Sequence, residues 1–194
     1  MTTINPVINY SNNVFQKIND PVGSNIGEHG RRVALMLEFY FIKYGFNPLS
    51  DKDCLKIIFA ALTHDVLEDT SESESSLKNI VGNEPLSIVK ELTISFENKN
   101  VVEAVAPLEN ISLDAYLIKM SDMLDTADKT KFYIKTNGIE WYENFYFPLA
   151  REYQRLNKIF LKKMTNYKFL KIAIDLSVLF DDRLKTLNFF VRNY

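Results

Sequence analysis

The run Ile57-Ile58-Phe59-Ala60-Ala61-Leu62 leads straight into His64, Asp65, Glu68 and Asp69. An apolar hexapeptide of this kind belongs in a core. Imidazole and carboxylate groups resist burial unless each is paired. A chain that carries both in one element must fold so that something polar or positive meets the second set. On a helix, residues 64 and 68 lie one turn apart, as do 65 and 69. An imidazole beside a carboxylate at a helix end is a donor pair for a divalent metal. Two further carboxylates one turn on could orient or deprotonate a water there.

The chain has only two histidines, so the other donors can be sought. His29 stands near the start of a predicted helix and follows Glu28. Asp122 stands on a later predicted helix, on the side marked by Lys119, Asp125 and Thr126. His29, His64, Asp65 and Asp122 thus form a nitrogen and oxygen set from three helices. Such a set suits Mn²⁺, Fe²⁺ or Zn²⁺; softer ions want thiolates and harder ones all-oxygen cages.

The helices themselves follow from spacing and from the scarcity of breakers, six glycines and six prolines in 194 residues. A chain of that length supports one core and one domain, and a fold with few turns is all-α, a helical bundle with the metal site at its centre. Helices are predicted over 27–44 and about 51–67, the second capped by Ser50 or Asp51. Shorter ones follow at 75–81 and 84–97, split by Gly82-Asn83. A loop is expected over 97–111, a helix from 112 to about 131, and a turn at Asn137-Gly138. A long helix over about 139–164 should kink at Pro148, and one or two more complete 167–192. The aromatics of the final stretch, LFDDRLKTLNFFVRNY, either pack back on the body or meet a second subunit as a homodimer.

Several classes are excluded. The lone Cys54 permits no disulfide within the chain and reads as a small core residue in a reducing compartment. The first residues, MTTINPVINYSNN, lack the basic and apolar regions of a secretory signal, and no apolar stretch reaches the roughly 18 residues of a membrane span. A cytoplasmic protein is expected. Residues 1–128 carry ten Lys and Arg against nineteen Asp and Glu, and residues 129–194 carry thirteen against six. The acidic body suits a cation, and the basic third either draws in an anion or is a solvated face. With no dense Lys/Arg block, duplex nucleic acid is not an expected partner.

The pattern His…His-Asp…Asp resembles the signature of the HD superfamily of metal-dependent phosphohydrolases, an all-helical fold. AALTHDVLEDT is similar to the hydrolase domain of RelA/SpoT proteins and their small stand-alone relatives. DPVGSNIGEHGRRVALML resembles that family's lead into the first metal His, LIKMSDML its segment with the last metal Asp, and NGIEWYENFYFPLAREY its late helix. The resemblance spans about residues 14–160, and 165–194 reads as a helical C-terminal extension. It implies metal ligands at His29, His64, Asp65 and Asp122 with Mn²⁺ the usual ion. It also implies catalytic roles for Glu68 and Asp69 on the attacking water. The implied reaction is hydrolysis of the 3′-pyrophosphate of (p)ppGpp to GDP or GTP and pyrophosphate. Lys119 falls on the family's lysine before the metal Asp, and Tyr146 on a ribose-packing tyrosine.

The departures concern the nucleoside. The family's Arg-Lys pair ahead of Asp20-Pro21 reads Ile18-Asn19 here, with Lys17 one residue off as a substitute. A basic residue and a ribose-contacting Asn after the metal Asp are replaced by Met123 and Thr126. These departures motivate an alternative, the same centre acting on NADPH, a dNTP or a signalling nucleotide. A third reading is a module that binds a nucleotide without turnover.

Overall fold

The computed structural model describes residues 4–16, 18 and 26–193. Every regular element among them is helical, as the sparse glycine and proline content required. The order is α1 (Ile4–Val14), α2 (Ile26–Lys43), α3 (Lys52–Thr63), α4 (Val66–Asp69), α5 (Glu74–Val81), α6 (Asn83–Leu92) and α7 (Val101–Val105). A 3₁₀ turn (Ala106–Asn110) leads to α8 (Leu113–Asn137). Then come α9 (Ile139–Trp141), a π turn (Tyr142–Tyr146), α10 (Phe147–Lys163) and α11 (Leu170–Arg192).

The bundle is built around α8. Its residues 115 to 125 are buried on every face, because α2, α3, α6, α10 and α11 all pack on it. The core runs from Val7 to Leu187 as one connected cluster, with the Tyr116 and Phe160 rings stacked at 3.7 Å. Tyr116 also donates to Asn157 Oδ1 at 2.8 Å, so its hydroxyl is not left bare in the core. The burial of α8 has a chemical consequence: Lys119, Asp122 and Asp125, all on this helix, must find charged partners inside the protein.

Helix starts are set by side chains. Asp51 accepts from the backbone of Asp53 and Cys54 at the head of α3, and Ser112 accepts from Ala115 at the head of α8. Gly138 ends α8 with φ of 87°, a conformation that costs glycine little, and its N–H reaches Ile134 O at 2.8 Å. Gly30 matters for a different reason. A Cβ there would lie 2.9 Å from Leu62 O, so α2 approaches α3 closely only because the side chain is absent.

Four expectations are corrected. The predicted helix over 51–67 breaks at His64-Asp65, and that over 84–97 stops at Leu92. The loop expected over 97–111 holds α7 and the 3₁₀ turn, started by a capping box between Asn100 and Glu103. Pro148 does not kink a straight helix; the chain widens into a π turn just ahead of it. The wider turn accommodates the missing N–H and the ring's clash with the preceding carbonyl. In α11, Phe180, Leu184 and Leu187 pack back on the body, whereas Phe189 is exposed. Cys54 is buried and its thiol is pushed up to about 12 by that burial, as a core residue should be. No helix is long and apolar enough to cross a membrane among the described residues.

Candidate metal centre

Three helix segments deliver the donors. His29 sits in the first turn of α2, Asp122 in the middle of α8, and His64-Asp65 at the break between α3 and α4. The break has a local cause. Thr63 Oγ1 donates to Phe59 O at 2.9 Å, and His64 Nδ1 lies 2.8 Å from Ala61 O, so side chains occupy the last carbonyls of α3. Asp65 then turns to φ −90°, ψ −1°, and its carbonyl accepts from the N–H groups of Glu68 and Asp69, which start α4. The turn lets adjacent residues present their side chains to the same point, which an unbroken helix would set about 100° apart.

The four side chains meet. Nε2 of His29 lies 3.0 Å from Asp122 Oδ1 and 3.7 Å from Asp65 Oδ2. Nε2 of His64 lies 3.1 Å from Asp65 Oδ1 and 4.0 Å from Asp122 Oδ1. One donor atom each from His29, His64 and Asp65 fits within 4.8 Å, and Asp122 joins them from the α8 side.

The decisive atom is Nε2 of His64, which is buried and has no hydrogen-bond partner. The tautomer in which Nδ1 donates to Ala61 O leaves the lone pair on Nε2. In that tautomer the lone pair faces a carboxylate oxygen at 3.1 Å, acceptor against acceptor. A divalent cation satisfies both, and the donor set of two imidazoles and two carboxylates fits one.

The surroundings orient these side chains. Asp125 Oδ2 lies 2.7 Å from His29 Nδ1, and Arg32 holds the same carboxylate through Nε at 2.8 Å and a second nitrogen at 3.1 Å. His29 is thereby turned with Nε2 toward Asp122, the carboxylate–histidine arrangement common behind metal-binding histidines. Lys119 Nζ lies 2.6 Å from Asp122 Oδ2 and sits over the Tyr153 ring at 5.7 Å.

Charges respond to this crowding. Burial opposes the proton on His29, but hydrogen bonds to Asp122 and Asp125 and the Asp122 and Asp65 charges outweigh it and raise the ring to about 10. Burial also works against charge on Asp122, yet Lys119 and His29 hold its carboxyl well below the ordinary range. Glu68 rises to about 7, chiefly because it is buried, despite the charge of Lys119 and the N–H of Ile94. Asp69 rises to about 6, from burial first and the Asp65 charge second. The two carboxyls therefore titrate near neutrality.

A cavity of about 220 Å³ opens beside the cluster. Glu68, Asp69, Lys119, Thr126 and Tyr146 line it, together with Met123, Leu149 and Tyr153. Lys17 and Asn19 lie outside the described residues. Ile18 is half-buried and packs against the core. Sequence reasoning gave no role to Arg32, Asp125 or Tyr153. A signal existed for the first two: Arg32 stands three residues after His29 and Asp125 three after Asp122, one helical face in each case.

No family model matches the sequence, and no curated protein sequence does. Among solved structures, the chain is similar to one described as a metazoan ortholog of SpoT that hydrolyses ppGpp and plays a role in starvation responses. The match has a TM-score of 0.64 at 19% identity, and covers 93% of this chain and 92% of the other. The two proteins share an all-α, SpoT-hydrolase-like fold.

Proposed function

We propose that the chain is a metal-dependent phosphohydrolase of the (p)ppGpp 3′-pyrophosphohydrolase type. The observation that carries this reading is the unpartnered Nε2 of His64, set among three other donors beside a cavity lined by Glu68, Asp69 and Lys119. His29, His64, Asp65 and Asp122 would hold Mn²⁺, with Fe²⁺ and Zn²⁺ as alternatives of the same donor preference. When bound, the ion supplies Lewis-acid polarisation of a phosphoryl oxygen and acidifies water.

The protein's own groups do the rest. Water attacks the phosphorus attached to the ribose 3′ oxygen; the P–O bond breaks, leaving a 3′-hydroxyl and free pyrophosphate. Burial raises Glu68 and Asp69 toward neutrality, which suits one of them to take the water's proton and return it to the 3′ oxygen. The N–H of Ile94, 3.1 Å from Glu68 Oε2, keeps that carboxylate from swinging toward the ligands. Lys119 keeps its charge against burial through Asp122 and offers it to the phosphates. Tyr146 and Thr126 meet the ribose at the cavity wall.

A cavity of about 220 Å³ is smaller than the ~300–1,000 Å³ common for whole ligands. It fits the pyrophosphate and sugar, with the base at the mouth. Here a second reading has its own support. Ile18 packs into the body, and Met123 and Thr126 stand where the resembling family has a basic residue and an Asn. Another nucleotide with the same phosphate chemistry, such as NADPH or a dNTP, would then be preferred. A Mn²⁺-dependent turnover screen of ppGpp, NADPH, dNTPs and cyclic dinucleotides, with products separated by chromatography, decides. GDP and pyrophosphate from ppGpp at the highest kcat/KM supports the alarmone reading, and a better turnover of any other nucleotide retires it.

A further inference from the structure

Tyr153 lines the cavity and has no task in the reaction proposed above. It stands on α10, four residues after Leu149 and seven after Tyr146, and all three face the cavity. The side chain is buried, with Lys119 Nζ over its ring at 5.7 Å from the centre. Its hydroxyl is also within hydrogen-bonding reach of Lys119. An ammonium group can only donate, so the phenol oxygen accepts there and its own proton is not used. Among the described residues no other side chain takes that proton. Burial pushes the phenol up to about 12 against the pull of the Lys119 charge, so the proton stays on. The other phenol of the cavity differs, because the Tyr146 hydroxyl is hydrogen-bonded to Thr130. Tyr153 thus brings an unspent donor to the cavity beside a cation, a pair suited to the oxygens of an anion.

The two helices fix which oxygens these are. On α8, Asp122 and Thr126 follow Lys119 at three and seven residues, so the three span about 10 Å of helix axis. Thr126 and Tyr146 mark the ribose end, and Asp122 marks the phosphorus under attack. Lys119 and Tyr153 therefore lie on the side away from the sugar. We infer that Tyr153 reads the second phosphoryl group of the substrate, donating with Lys119 to the phosphate that has no bond to the ribose. The site is then built for a sugar diphosphate and not for a monophosphate ester. A monoester such as the 2′-phosphate of NADPH ends before it meets Tyr153. The inference rests on the phosphohydrolase reading above and narrows its substrate class.

Tyr153→Phe keeps the ring beneath Lys119 and removes only the hydroxyl, so melting temperature and Mn²⁺ affinity should not change. Calorimetric titration with inorganic pyrophosphate and with orthophosphate, all solutions at one free Mn²⁺ concentration, reads the anion site without turnover. Pyrophosphate should bind the variant about 10- to 100-fold more weakly, the range for a hydrogen bond to a charged group. Orthophosphate should bind both proteins alike. The preference for ppGpp over NADPH in kcat/KM should narrow by the same factor as pyrophosphate affinity. Unchanged pyrophosphate affinity overturns the inference even where ppGpp is hydrolysed. An equal loss for both anions also overturns it, because the hydroxyl then meets the reacting phosphoryl group. Wild-type protein that binds pyrophosphate through Tyr153 and hydrolyses no nucleotide upholds the diphosphate site and retires the hydrolase.

Discussion

Nε2 of His64 and Oδ1 of Asp65 lie 3.1 Å apart with no hydrogen bond between them. Two acceptors held that close repel each other unless a cation intervenes. Mn²⁺ added to protein stripped with EDTA should therefore raise the melting temperature, by the linkage of binding to folding. His64→Ala and Asp65→Asn should each remove that increase while the stripped protein stays folded. An undiminished increase in both variants would place the ion elsewhere.

The proton on His29 gives the stripped protein a pH signature. The folded-state value is about 10 against an ordinary 6.5, so the folded form holds this proton more tightly than the unfolded chain. Its contribution to stability is complete below about 6.5 and is lost as pH rises to 10. Stripped protein should melt at progressively lower temperature from pH 7 to 10, and the slope should flatten in His29→Gln. Binding of a metal must expel this proton, so the increase from Mn²⁺ should be larger at pH 9 than at pH 6. Differential scanning calorimetry with and without Mn²⁺ reads both signs.

Glu68→Gln should keep the metal content and cut turnover by about 10²–10⁴, the usual worth of a positioned acid or base. The raised carboxyls of Glu68 and Asp69 predict an acid limb at or below pH 7, since a nearby cation can only lower them. Activity should rise with pH through that limb in the wild type. A variant with wild-type turnover would remove Glu68 from the chemistry.

Asp125→Asn should weaken Mn²⁺ binding about 10- to 100-fold, the typical cost of losing a carboxylate behind a metal histidine. Arg32 then loses both of its hydrogen bonds to a full carboxylate. Isothermal titration of the stripped protein measures the affinity without reference to turnover. Unchanged affinity would make the Arg32–Asp125 pair a structural tie only.

Gly30→Ala tests how closely α2 must sit on α3. Its Cβ would press on Leu62 O at 2.9 Å, a backbone atom that cannot swing aside. The substitution should cost about 1–3 kcal/mol, the range for an overpacked core. Because His29 is the adjacent residue, Mn²⁺ affinity should fall as well. Chemical denaturation and metal titration of one preparation separate the two effects.

The sequence was most readable where spacing and polarity pointed the same way. The convergence of His29, His64, Asp65 and Asp122 could be read because each stands on, or at the end of, a helix whose apolar face was legible. The break at His64-Asp65 was not legible, since Thr63 and His64 cap α3 only once their side chains are committed to Phe59 and Ala61 carbonyls. Helix α1 was missed for another reason. INPVINYSNNV has weak helical propensity, and its fold rests on burying Val7 and on Ser11 donating to Leu62 O at 2.9 Å, contacts made across 51 residues. The Asn100–Glu103 capping box stands within a polar, proline-containing stretch, which on composition alone reads as a loop.

The π turn at Tyr142–Tyr146 is a helix with one residue more than its turns require. Residue correspondence between this chain and others of the same fold can therefore slip by one across it. Tyr146 holds its place at the cavity together with Leu149 and Tyr153, which follow at three and seven residues on one face. A one-residue deletion within 142–146 should turn the segment into a plain α-helix and rotate Trp141 away from the Tyr146 ring it now stacks on at 5.7 Å. The helix would keep its cavity face and change what reaches it from upstream, so a single residue within 142–146 sets which side chains stand behind the pocket wall.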